Sequence, residues 1–308
     1  MDISALLTKM AIFVVLMVIG YLCARKGVLS RDFTRGASKL VINVFMSATI
    51  LNSVINSAIE LSGRELAEAT VVLSVCMVVG YIVAAVACRL MKYDREHEPL
   101  FELQTAVMNN MFIALPVAEQ LFGPIAVFYC SLSCLPYNLL LYTYGTGRLS
   151  GIDGKGKFSI KDFFSIPLIA TLAAVLIFVL RLPVPGVMKE LCASMSGATM
   201  PLSMIVIGSS LGSVSLLDSF KDKKMYIMSA LRLLLIPLIV WLLTGLITDD
   251  FVLKTTALII AASPSAVVVS VLTIQYGRDS IFTSQGILLS TVLSMFTIPV
   301  IVYLSHIV

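Results

Sequence analysis

The chain has 308 residues, of which 58% are hydrophobic and only 13% charged, with a net charge of +4 and a mean hydropathy of +0.99. Soluble domains carry about a quarter charged residues, so this composition excludes an ordinary water-soluble globular domain. The apolar residues come in long runs without strict alternation, which excludes an outer-membrane barrel, and the small positive balance lies in short loops, which gives no reason to expect nucleic acid.

A helical span needs about 20 apolar residues, and ten such segments follow one another: Leu6–Cys23, Leu40–Ile59, Thr70–Met91, Phe101–Phe122, Pro124–Tyr144, Ser165–Leu182, Met188–Leu211, Met225–Ile247, Phe251–Tyr276 and Ile281–Ile307. Asp2 precedes the first run and Arg25 and Lys26 follow it, the reverse of a secretory leader. The fold class is therefore an all-α polytopic membrane protein. The six cysteines, Cys23, Cys76, Cys88, Cys130, Cys134 and Cys192, form neither a CxxC pair nor a His-Cys metal spacing. No cofactor is expected beyond a coupling ion, Na⁺ or H⁺, and the sequence assigns no ligands to a metal.

Most of the 22 basic residues fall in loops on one side. They are Arg25 to Lys39, Arg89 to Arg95, Arg148 to Lys161, Lys221 to Lys224, and Arg278. By the positive-inside rule these loops are cytoplasmic and both termini lie outside, in a cell membrane. The longest polar stretch, Gly147–Phe163, reads as a flexible cytoplasmic linker. It divides the chain into a first five-span unit at 1–147, a linker at 148–163 and a second unit at 164–308. Five is odd, so the second unit lies inverted relative to the first.

The fourth span, with "NNMFIALPVAEQLFG", and the ninth, with "AASPSAVVVSVLTIQYG", each carry a mid-span proline among small or polar residues. Proline removes a backbone donor and clashes with the carbonyl one turn earlier. Freed backbone groups survive at mid-membrane only inside protein or beside a wet cavity. Paired interrupted helices are the best sequence pointer to a transporter site. The candidate substrate-binding residues are Asn109, Asn110, Pro116, Ser263, Pro264 and Ser265, with Asn138 and Gln285 nearby. Glu119 and Arg232 are candidates for coupling; the blander roles are a paired carboxylate for Glu119 and a side chain snorkelling to the interface for Arg232. The run "GSSLG" at 208–212 suits close helix contact or a bend. HExxH and paired mid-span aspartates are missing, and the GSSLG run, though it has the letters of GxSxG, lies inside an apolar span and not on a strand-to-helix elbow, which argues against an intramembrane enzyme.

Six stretches, in this order and spacing, resemble the auxin efflux carrier family: "GYLCARKGVLS", "NNMFIALPVAEQLFG", "YNLLLYTYG", "ATMPLSMIVIGSSL", "AASPSAVVVSVLTIQYG" and "ILLSTVLSMFTIPV". The resemblance implies ten spans as two inverted five-helix repeats, a fold shared with bile-acid sodium symporters. Spans one, two, six and seven would form a scaffold. Spans three to five and eight to ten would form a mobile transport domain in which broken helices four and nine cross. Asn109 matches the family's crossover asparagine, and Pro116 and Pro264 its crossover prolines. Met111 and Ala114 stand where glycines are usual, and Ser47 where the second span often has proline.

The expected function is secondary active transport of a small organic anion, a carboxylate, by an elevator-type shift, with a homodimer implied by resemblance and lipid as the surrounding partner. Na⁺ and H⁺ both stand as candidate coupling ions. Competing readings are a sodium-coupled carrier of the bile-acid symporter type, a ten-span drug/metabolite exporter and a carboxylate sensor.

Overall fold

The computed structural model describes residues 3–57, 59–150, 164–212 and 222–305. The linker expected at 148–163 lies outside these residues, except that its first three continue a helix to Ser150. Among the described residues the chain is built from helices, with one isolated antiparallel bridge and no strand.

In chain order these are α1 (Ile3–Arg25), α2 (Asp32–Ile55), α3 (Gly63–Met91), α4 (Glu98–Ala106), α5 (Leu115–Phe122), α6 (Pro124–Ser150), α7 (Ile166–Leu180), α8 (Gly186–Gly212), α9 (Lys223–Thr244), α10 (Phe251–Ala262), α11 (Val267–Gln275) and α12 (Ser280–Ser305). Six of them, α2, α3, α6, α8, α9 and α12, are long and apolar enough to cross a membrane. Large apolar side chains also face outward, among them Val15 and Leu22 on α1, Ile82 on α3, Leu176 on α7 and Leu238 on α9. Such a surface would aggregate in water and is at rest in lipid.

Local signals set the helix ends. Ser62 and Glu65 form a reciprocal capping box at the start of α3. Ser165 caps α7 and Asp250 caps α10 through side-chain bonds to backbone N–H groups. Gly123 joins α5 to α6 with φ +71°, a conformation glycine adopts without steric cost, and Pro124 then opens α6. Wide π turns interrupt α2 at Val41–Met46, α6 at Leu141–Gly145 and α9 at Leu231–Leu235, and another, Asn110–Ala114, leads into α5. Pro116 and Pro237 each lie just past such a turn. Widening the turn moves aside the carbonyl that a proline ring would strike.

Packing partners recur between the two halves. Helix α1 lies along α8, as α7 lies along α2; α3 packs on α4 as α9 packs on α10; α5 packs on α6 as α11 packs on α12. The α1–α8 contact is backbone to backbone. A Cβ on Gly20 would land on the Ile205 carbonyl, one on Gly208 on the Met17 carbonyl, and one on Gly212 would be 2.8 Å from the Ala24 Cβ. The GSSLG run therefore serves close helix approach. Hydroxyl pairs tie α2 to α8: Thr34 to Ser209 at 2.6 Å and Thr49 to Thr199 at 2.7 Å.

Candidate functional site

Two apolar segments stop being helical in the middle of the molecule, and they stop against each other. After α4 the chain is extended at Val107 (φ −85°, ψ 111°) and Asn109 takes φ −84°, ψ 64° before the next turn begins. After α10 it is extended at Ser263 (φ −71°, ψ 150°) and again at Ala266 (φ −77°, ψ 140°). Met108 and Ser265 form an antiparallel bridge. The Asn109 N–H donates to the Pro264 carbonyl at 2.9 Å, and the Ala266 N–H to the Val107 carbonyl at 3.0 Å. Each break satisfies backbone groups that the other leaves open, which is the condition for irregular backbone inside a membrane protein.

The second break has a simple local cause. Pro264 lacks an N–H and disfavours helical geometry at Ser263. The first break has no proline: it falls at Val107–Asn109, and Pro116 sits beyond it at the start of α5. Asn109 marks the spot chemically, because its Oδ1 accepts from the Phe112 N–H at 3.2 Å and caps the resumed helix.

The four central residues are deeply buried: Asn109 is 5% exposed, Asn110 2%, and Ser263 and Ser265 0%. Asn110 turns toward α6 and donates to the Ser133 hydroxyl at 3.0 Å. The Ser263 hydroxyl bonds back to the Ile260 carbonyl at 2.7 Å, and the Ser265 N–H reaches the Ser290 hydroxyl on α12 at 3.2 Å. The Ser265 hydroxyl itself is buried without a protein partner. It adjoins the N-terminus of α11, where Ala266 supplies no side-chain cap. A helix start with open N–H groups carries partial positive charge.

The remaining candidates spread outward. Asn138, on α6, donates to the Ser165 hydroxyl at 2.9 Å, at the head of α7. Gln285 is half-buried on α12. Glu119, half-buried on α5, accepts from the Ser196 hydroxyl of α8 at 3.3 Å and so bridges the broken segment to the α1–α8 pair. Arg232 does not snorkel. It is 0% exposed, within the π turn of α9, and its Nε donates to the Ser263 carbonyl at 2.9 Å.

One polar group near the breaks escaped sequence reasoning. Gln104, on α4 a turn before the first break, is fully buried with both amide atoms unpartnered. Gly286 on α12 makes room for it: a Cβ there would strike the Gln104 Oε1 and come 2.8 Å from the Met228 Cε. The useful signal was the glycine facing it, which the spacing within one helix does not reveal. Among the described residues no group of three or more His, Cys, Asp or Glu side chains is placed to hold a metal ion.

A helical protein with six membrane-length apolar helices and two interrupted segments paired backbone to backbone is suited to moving a solute across a membrane, and the comparisons agree. A family model described as "Membrane transport protein" matches the chain twice, over residues 5–157 and 154–302. The chain belongs to this family, the auxin efflux carriers, as its motifs led us to expect. It is 28% identical over 292 residues to an uncharacterized transporter of Methanothermobacter thermautotrophicus, covering 92% of this chain and 93% of that one. It is 26% identical over 295 residues to an uncharacterized transporter of Methanocaldococcus jannaschii, covering 93% and 94%. The family and both relatives are transporters, not enzymes.

Proposed function

We propose that the protein is a secondary active transporter of a small organic anion, a carboxylate, bound where the two broken segments pair. The observation that carries this reading is the backbone bridge between Met108 and Ser265. It brings a buried asparagine, an unpartnered serine hydroxyl and an uncapped helix start to one place. Amide and hydroxyl donors with a helix N-terminus recognise a carboxylate without requiring a buried cation of their own.

In this reading the chain makes ten spans, with α4–α5 and α10–α11 as the broken fourth and ninth. The recurrence of packing partners between the halves supports two inverted five-span repeats, as does the double match of the family model. The tight α1–α8 and α2–α7 pairs act as the scaffold, and α3 to α6 with α9 to α12 as the moving transport domain. Glu119 lies where the two bodies meet, and its contact with Ser196 must break as one slides past the other. Asn109 and Ser265 are the primary ligands of the anion. Asn110 and Gln285 shape its surroundings, and Pro116 and Pro264 fix the backbone that presents it. The protein sits in the cell membrane with both termini outside, as a homodimer.

The test is a thermal-shift panel of small mono- and dicarboxylates on the purified protein. Uptake into proteoliposomes follows for any that stabilise it. A ligand at 100 times its Kd raises stability by about 2.7 kcal/mol, so at least one carboxylate is expected to raise the unfolding midpoint and to be accumulated. Stabilisation only by amines or neutral solutes would overturn the anion assignment.

A further inference from the structure

The C-terminal end of α10 is the most electronegative point of the second break. A helix end carries partial negative charge on carbonyls that have lost their donors, and here the following Pro264 has none to give. In broken-helix transporters such an end is suited to a cation. In this chain a side chain already occupies it. The Arg232 Nε donates to the Ser263 carbonyl at 2.9 Å and its Nη2 to the Ile260 carbonyl at 3.4 Å.

Arg232 is among the largest fully buried side chains of the protein. None of the ion pairs among the described residues includes it, and its Nη1 has no protein partner. A lone buried cation is expensive in a membrane, so its retention here needs the carbonyls that it meets, Ser263's and, shared with the Ser263 N–H and hydroxyl, Ile260's. The π turn at Leu231–Leu235 sets it where it can reach them. The first break has no such device: α3, which packs on α4 as α9 packs on α10, carries no charged residue between Glu68 and Arg89.

We propose that Arg232 is a tethered cation for the crossover, holding the carbonyls of the second break in the place a metal cation would take, so that this end of the site works without Na⁺. The inference deepens the transporter reading and rests on it for its meaning, but it concerns only the cation side of the site. Arg232 is thus a positioning residue: it fixes Ser263 and Pro264, and through the Pro264 carbonyl the Asn109 N–H.

The experiment measures the unfolding midpoint of purified full-length protein in sodium, potassium or choline chloride at equal ionic strength. It covers the wild type, Arg232→Lys and Arg232→Ala, each with and without millimolar methylguanidinium. The wild-type midpoint is expected to be the same in all three salts. Arg232→Ala loses two charge-assisted bonds and is expected to unfold roughly 5 °C lower or more. Methylguanidinium is expected to restore part of that loss in Arg232→Ala and to leave the wild type unmoved. Arg232→Lys, which lacks the planar fork, is expected to fall between.

A midpoint of the wild type that rises specifically with sodium overturns the proposal, and that arm needs no variant to fold. So does an Arg232→Ala protein as stable as the wild type, or one whose loss methylguanidinium does not restore in any part. None of these readouts requires the substrate to be known, so a failed carboxylate panel and a failed tethered cation are separate results.

Discussion

Asn109→Asp is expected to leave the protein folded and to cut carboxylate uptake by about 100-fold, a loss of about 2.7 kcal/mol. The two side chains have nearly the same shape. Aspartate keeps the oxygen that accepts the Phe112 N–H, and a negative charge is favourable at the start of a helix, so the local fold is retained. What changes is the chemistry offered to the substrate. The amide donors vanish and a carboxylate replaces them at a position only 5% exposed. A lost hydrogen bond to a charged group is worth about 1.5–3 kcal/mol, and repulsion between like charges adds to it. Uptake into proteoliposomes and the unfolding midpoint, measured on the same preparation, separate the two effects. Near-normal uptake by this variant would remove Asn109 from the site.

The second large effect is structural. Gly208→Leu is expected to destabilise the protein by about 3 kcal/mol or more, because any Cβ there meets the Met17 backbone carbonyl, which cannot turn away as a side chain can. Gly197, on the same helix, faces open space. Gly197→Ala is therefore the control, and it is expected to stabilise by about 0.5–1 kcal/mol through helix propensity alone. Comparing the two midpoints by heating in detergent checks the claim that α1 and α8 form a rigid pair. A Gly208→Leu protein as stable as the control would show that the pair is loosely held.

Much of this was legible in the residues, and the omissions have physical reasons. The second break could be placed because Pro264 and its small neighbours dictate it locally. The first break was sought over Asn109, Asn110 and Pro116, and it falls at the asparagine end, Val107–Asn109, and not at the proline. What holds the chain open there is pairing with a segment that lies far along the sequence, and no local propensity encodes such a partner. A π turn meanwhile accommodates Pro116. Arg232 was left between a coupling role and snorkelling to the interface. Its burial depends on α10 ending within reach of its guanidinium, again a tertiary fact. Asn138 looked close to the site along its own helix, but its bond to Ser165 directs it to the head of α7. Of the two uses the GSSLG run suggested, close contact or a bend, the backbone approach at Gly208 and Gly212 shows close contact.

The central claim is that the paired breaks hold the transported anion. It is tested most directly by placing Ser265→Cys in a background with the six native cysteines replaced, and timing its reaction with a small thiol reagent during transport. The account predicts slow labelling that a transported carboxylate suppresses, with half-maximal protection at the concentration that half-saturates uptake. Labelling that proceeds at the same rate with and without a saturating carboxylate, in a variant that still transports, would contradict it.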